Sequence, residues 1–144
     1  MIPVPRRVLH AVSAVVDVAL HARPAPVNAK ALAARHELPP RHLEAVLQAL
    51  VRAGILKGMR GPRGGYELGR DRRHISVGDI VRAVEGVGSE PPAAGSDRLV
   101  DQVVVPAMAE AGAAFMLRLD QLSVADLCRR AGPGGSAALP DFTI

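Results

Sequence analysis

Residues 40–66 read PRHLEAVLQALVRAGILKGMRGPRGGY, and this stretch decides the fold. Pro40 suits the first position of a helix, where its missing N–H costs nothing. At 100° per residue, Leu43, Val46, Leu47, Leu50 and Val51 fall on one face and predict a buried stripe. Arg41, Glu44, Ala45, Gln48 and Arg52 cluster on the opposite side. Gly54 is placed to end the helix in a left-handed conformation. Ile55 to Arg60 then reads as a strand and Tyr66 to Leu68 as a second, with Gly61-Pro62-Arg63-Gly64-Gly65 as the turn of a hairpin.

Upstream, Glu37-Leu38-Pro39 makes a tight break. Before it, Asn28 is a good N-cap for a short helix reaching His36, with Leu32 and its neighbouring alanines allowing close packing. Two short helices joined by so brief a turn match the helix-turn-helix arrangement. A first helix is predicted from Pro5 to His21, closed by Pro24 and Pro26. Val8, Ala11, Val12, Val15, Val16 and Ala19 form its apolar stripe, and His10, Ser13, Asp17 and His21 fall on the other face.

Downstream, Ser76 opens a helix with Asp79 at the capping-box position and Val77, Ile80, Val81 and Val84 on its apolar side; Gly86 ends it. Residues 87–97 read as a linker. A longer helix follows, from Arg98 or from Pro106, to Gln121, the start depending on whether Pro106 kinks it. Ser123, with Asp126, caps a last short helix to Arg130, and the Gly/Pro/Ser-rich tail 132–144 reads as disordered. The expected architecture is mainly α with a small β-hairpin wing: residues 1–86 a winged helix-turn-helix domain, 98–131 a long helix and a short C-terminal one.

The chain of 144 residues holds one compact domain plus an appendage, rich in Ala, Val and Leu, with Tyr66, Phe115 and Phe142 its aromatic residues. Charge is placed unevenly. Residues 1–75 carry thirteen Lys/Arg against five Asp/Glu, and residues 76–144 five against nine. A basic half joined to an acidic half suggests that the first half meets a polyanion. Cys128 is the single cysteine, which excludes an intramolecular disulfide and fits a reducing cytoplasm. Arg6 and Arg7 before an apolar run resemble a signal peptide, but His10 and Asp17 interrupt that run at helical spacing, so export is rejected. No uninterrupted apolar run approaches the ~18 residues that span a bilayer, so a cytoplasmic protein with no membrane partner is expected.

The chemistry lies on the helix beginning at Pro40. Arg can read guanine in a major groove, Gln adenine, and Glu the cytosine amino group, and a small residue such as Ala45 among them permits close approach. On an isolated helix this would be an ordinary solvated face; as the second helix of a helix-turn-helix it reads as base readout. Arg60 and Arg63 at the hairpin tip suit insertion into a minor groove, whose negative potential attracts arginine, with Gly64 and Gly65 letting the backbone come close to a phosphate. The five histidines are scattered, and the eleven residues between His10 and His21 span about three helical turns, too far for one metal ion. Cys128 lies among Val124 and Leu127 and reads as a buried structural residue. No G-x-S-x-G, H-E-x-x-H or Cys/His motif supports an enzyme.

Taken together, Leu9-His10-Ala11-Val12 with Asp17-Val18-Ala19-Leu20, His42-Leu43-Glu44, Ala53-Gly54-Ile55-Leu56, Arg60-Gly61-Pro62-Arg63-Gly64-Gly65-Tyr66 and Ser76-Val77-Gly78-Asp79-Ile80 resemble the Rrf2 (BadM/IscR/NsrR-type) family of winged-helix transcriptional regulators. The resemblance is close over residues 5–86 and by helix pattern alone over 98–130. It implies a homodimer, built on the long helix through Val103, Ala107, Ala111, Ala114 and Phe115, that binds double-stranded DNA. It also implies a DNA surface of Asn28, Pro40, Arg41, His42, Glu44, Ala45, Gln48 and Arg52 with the wing from Arg60 to Tyr66. Within that surface the matching positions assign a base contact to Glu44 and minor-groove insertion to Arg60. Arg41 and His42 stand where the family commonly has Ser or Thr and Tyr, which points to a different sequence being read.

One departure is larger. Many members hold an iron–sulfur cluster on three cysteines in the loop that corresponds to residues 87–99, and this chain has none there. Some relatives take a ligand from an acidic residue on the first helix, where this chain has Leu9. One thiolate does not anchor a centre needing about four ligands, so no cluster is expected. The expected function is a sequence-specific repressor acting as a homodimer on a pseudo-palindromic operator. The alternatives are a protein-interaction module on the same fold, or a cluster-free regulator responding to a small molecule or to redox state.

Overall fold

The computed structural model describes residues 4–23, 25–85 and 97–132. Apart from Asp97 and Gly132, the expected linker and tail lie outside the described residues, as do Pro24 and Gly86. In chain order the elements are α1 (Arg6–His21), α2 (Ala29–His36), α3 (Pro40–Arg52), β1 (Leu56–Met59), β2 (Gly65–Leu68), α4 (Val77–Val84), α5 (Val105–Asp120) and α6 (Val124–Ala131). A short 3₁₀ turn, Arg72–His74, precedes α4.

The core collects one face of each helix. Ala11, Val15 and Val18 of α1 meet Leu32 of α2, Leu43, Leu47 and Leu50 of α3, Ile80 and Val84 of α4, and Val124 of α6. Burying one such leucine or isoleucine contributes roughly 1.5–3 kcal/mol, so these few residues dominate the packing. Two edges of the expected stripes shift. Val51 is 37% exposed and Ala49 is buried in its place, because α3 rolls its C-terminal turn so that the small residue meets the core. On α1, Val12 and Val16 are half-buried while Ala14 and Val18 are fully inside.

The capping chemistry follows the sequence. Asn28 Oδ1 accepts from the Ala31 amide at 2.7 Å, and Ser76 with Asp79 forms a reciprocal capping box on α4. Ser123 and Asp126 repeat that box on α6. The two boxed ends lie side by side, since Val77 N–H donates to Leu122 O at 2.7 Å and Val124 N–H to Ile75 O at 2.8 Å. The turn between α2 and α3 rests on Glu37, a left-handed residue at φ 51°. Gly54 ends α3 at φ 76°, a conformation that glycine adopts without a Cβ penalty.

The long helix is continuous through Pro106. Asp97 Oδ1 accepts from the Leu99 amide at 2.9 Å, and a π-helical turn over Val100–Val104 precedes α5. Val105 N–H reaches back five residues to Val100 O, and this widened turn accommodates the proline that would otherwise break the helix. Every residue from Asp97 to Ala114 is exposed. Only at Phe115, Met116 and Leu119 does α5 settle against the body, where Arg82 of α4 donates to both carboxylate oxygens of Asp120 at 2.6 and 2.7 Å.

The sequence reading of membrane spans needs one correction. By length and composition alone, Val100–Asp120 is a helix long and apolar enough to cross a membrane, at a mean hydropathy of 1.3. Asp101, Glu110 and Arg118 interrupt the run, which hides it from a search for uninterrupted apolar stretches.

Candidate nucleic-acid interface

The interface is built on α3 and the hairpin that follows. With Leu43, Val46, Leu47 and Leu50 locked in the core, α3 has one orientation, and Arg41, His42, Glu44, Ala45, Gln48 and Arg52 are all exposed on its outer side. The side chains of Arg41, Glu44, Arg52, Arg60 and Arg63 form no hydrogen bond or ion pair with another described residue. Several cations elsewhere are committed. Lys57 faces Glu67 across the hairpin at 4.0 Å, Arg70 meets Asp79 at 3.1 Å, and Arg73 lies beside Asp71, whose carboxyl it holds down to about 2. The exposed face of α3 and the hairpin tip therefore keep their donors for an outside acceptor.

The wing is a two-stranded antiparallel sheet with Leu56 opposite Leu68 and Met59 opposite Gly65. Its tip projects Arg60, Gly61, Pro62 and Arg63 into solvent. Gly61, at φ 111°, carries the turn. Gly64 and Gly65 also lie close against the protein's own backbone. A Cβ on Gly64 would lie 2.4 Å from Met59 O, and one on Gly65 would lie 2.5 Å from Val27 O.

Tyr66 likewise turns inward. Its side chain is half-buried against the core, and its backbone exchanges two hydrogen bonds with Val27, at 2.7 and 2.9 Å. That bridge ties the root of the wing to the residue before Asn28, at the start of the helix-turn-helix. Asn28 itself is exposed at this junction, with its side-chain oxygen committed to capping α2.

Two features escaped the sequence reading, and both lie on the polar face of α1. Asp17, on the face opposite the apolar stripe, is only 7% exposed. Arg35 of α2 donates to it from Nε at 2.7 Å and from Nη2 at 2.6 Å, and His36 Nε2 lies 3.1 Å from Oδ2. His21 Nδ1 lies 3.2 Å from Oδ1, and His36 Nδ1 is 3.2 Å from the Ser13 hydroxyl. Burial pushes the Asp17 carboxyl up, but the hydrogen bonds and charge of Arg35, with the two histidines, outweigh it and hold it below its ordinary value. The second feature is a cleft of about 580 Å³ in which Arg6, Arg7 and His10 of α1 face Arg41 and His42 of α3. The signal for both was present as a polar stripe recurring every three or four residues, Arg6, His10, Ser13, Asp17 and His21, on a helix whose other side fills the core.

The donor set for a metal or cluster is thin. Among the described residues no group of three or more His, Cys, Asp or Glu side chains is arranged to hold an ion. Cys128 is buried on α6; burial pushes its thiol up, against the opposing pull of Arg72 and Arg129.

A helical core carrying an exposed helix-turn-helix and an arginine-tipped wing defines a winged helix-turn-helix protein of the DNA-binding regulator class. The family model described as "Rrf2: Iron-dependent Transcriptional regulator" matches residues 4–130, and the chain belongs to that family. It is 35% identical over 120 residues to slr0846 of Synechocystis sp., provisionally named an HTH-type transcriptional regulator, covering 82% of each chain. It is 40% identical over 76 residues to the HTH-type transcriptional regulator IscR of Vibrio vulnificus, a match covering 53% of this chain and 45% of that protein. Among solved structures, T. potens IscR superimposes with a TM-score of 0.73 at 30% identity, covering 95% of this chain and 93% of the other. CymR, the global cysteine regulator of B. subtilis, gives 0.66 at 25% identity over 90% of this chain and 98% of its own.

Proposed function

We propose that the protein is a cluster-free repressor that occupies a pseudo-palindromic operator as a homodimer. The observation that carries this reading is the bare long helix. From Leu99 to Ala114 every residue is exposed among the described residues, with Leu99 at 66%, Val103 at 56% and Met108 at 67%. Val103, Ala107, Ala111 and Ala114 form one small apolar face, with Phe115 half-buried at its end. A second copy packed along that face would hide this surface through close helix–helix contact. The bilayer is the poorer cover, because Glu110 would sit near the middle of the span, where a charge is costly.

Two copies related by a twofold axis would present two α3 helices to successive major grooves about 34 Å apart. In each half-site Arg41, His42, Glu44, Ala45, Gln48 and Arg52 face the bases and Arg60 and Arg63 the adjacent minor groove, with Asn28 at the junction. Occlusion of a promoter is the mechanism this requires, carried out in the cytoplasm. The lone Cys128 and the cysteine-free stretch 87–99 support operation without an iron–sulfur centre.

Genome-wide recovery of DNA bound by the protein, paired with transcript levels after its deletion, tests the whole reading. It expects inverted half-sites overlapping promoters and transcripts that rise on deletion. Sites without inverted symmetry, or transcripts that fall, would overturn the dimer or the repressor respectively.

A further inference from the structure

The cleft between α1 and α3 is bordered by five cation-forming side chains, Arg6, Arg7 and His10 on one wall and Arg41 and His42 on the other. Among the described residues no carboxylate lines it, although Glu44 stands on the same helix. Its apolar lining is Leu38, Leu43, Ala45 and Val46, so a cationic rim surrounds a hydrocarbon floor. Arg6 and Arg41 are exposed at the mouth. Two of the rim residues belong to the first turn of the recognition helix, so the cleft is continuous with the surface that faces the bases.

We propose that this cleft receives the sugar–phosphate backbone of DNA at the edge of the major groove read by α3, making α1 a third DNA-contacting element beside the recognition helix and the wing. The proposal rests on the DNA-binding reading above and deepens it. A helix lying in the major groove has a phosphate strand along each side, and the N-terminal turn of such a helix lies nearest the bases. The strand flanking that turn here meets a rim that is cationic on both sides. The phosphate takes donors from Arg6 and Arg41, and the deoxyribose carbons meet Leu38 and Ala45. Such a contact fixes register and carries no base preference of its own.

The test is the salt dependence of affinity for duplexes selected from random sequence by the full-length wild-type protein. Losing one phosphate contact lowers the slope of log K against log salt by about 0.9. Arg6→Ala is therefore expected to weaken binding at every sequence, with a deficit that shrinks about 3.5-fold between 50 and 200 mM salt. It should leave the selected sequence unchanged, and Arg6→Lys should restore the slope because a point charge suffices. The exposed position of Arg6 keeps the fold out of the comparison, which a thermal melt of each variant verifies. An unchanged slope and affinity in Arg6→Ala overturns the proposal while leaving the regulator reading intact. An unchanged slope together with release of the wild type from DNA by millimolar benzoate also overturns it, and assigns the cleft to a small organic anion. Failure of the wild type to select any sequence would instead strike the DNA-binding reading itself.

Discussion

The Arg35 guanidinium grips both carboxylate oxygens of Asp17, at 2.7 Å from Nε and 2.6 Å from Nη2, and so pins the first helix of the helix-turn-helix to the polar face of α1. Asp17 is 7% exposed while Arg35 keeps 42% of its side chain in solvent. The pair is thus anchored at the carboxylate and relaxed at the guanidinium. His36 and His21 complete the shell around the anion, so this buried charge helps hold α2 on α1 beside the packing of Leu32.

Asp17→Asn keeps the shape and removes the charge. It is expected to cost about 2 kcal/mol, since bonds to a charged group are lost but Arg35 remains free to turn to water. The melting temperature should fall by roughly 6 °C. The folded carboxyl lies below its ordinary value, so its contribution is complete above the unfolded value and is lost as pH falls through the folded one. The wild type should therefore lose stability on acidification below about pH 4, and Asp17→Asn should lose less over the same interval. Parallel acid limbs in urea titrations of the two proteins would show that the carboxylate does not hold α2.

The winged fold was legible because its signals are local. The apolar spacing of α3, Gly54 at its end, the glycine-rich hairpin and both Ser–Asp capping boxes each concern residues within a few positions of one another. What stayed hidden depends on contacts between elements. A polar stripe on a helix shows no partner until the fold lays another helix on it, and only α2 reveals what Asp17 holds. Tyr66 and Gly65 were read as surface because only the tertiary bridge to Val27 shows what they touch. The continuity of the long helix through Pro106 required a π turn, and no residue type announces one.

Placing a charge at Ala111 tests the dimer. The residue is exposed among the described residues, so Ala111→Glu is expected to leave the protomer folded. In a helix pair the carboxylate would be buried without a partner, at a cost of several kcal/mol. Sedimentation should show the mass falling about twofold, and operator affinity should drop at least ~100-fold as the second half-site is lost. A folded variant that still sediments as a dimer would place the interface elsewhere.

Protein prepared without oxygen should be colourless and free of stoichiometric iron and acid-labile sulfide. The family's description is iron-dependent, whereas this chain brings a single buried cysteine on α6. A [2Fe–2S] centre needs about four ligands. Iron and sulfide at about two atoms each per chain would show that ligands come from histidine or carboxylate side chains not gathered among the described residues of one protomer.

Glu44 and Arg60 should fail in different ways, and the contrast tests the interface as a whole. Both are exposed and unpaired, one on the recognition helix and one at the tip of the wing. A carboxylate facing bases accepts from the cytosine amino group and repels phosphate in a wrong register, so it buys specificity at the expense of raw attraction. Glu44→Ala should therefore relax the selected sequence at one position by about 1–3 kcal/mol, with non-specific affinity unchanged or raised. Arg60→Ala should weaken binding to all sequences and lower the salt slope by about 0.9, because a cation near phosphates is lost. If Arg60 reads groove width, the loss should be larger on A-tract flanks, where the minor groove is narrow. Selection from random duplexes with both variants at two salt concentrations separates these outcomes. An unaltered sequence preference in Glu44→Ala together with unaltered affinity in Arg60→Ala would make both residues ordinary surface and move the readout to another face of the molecule.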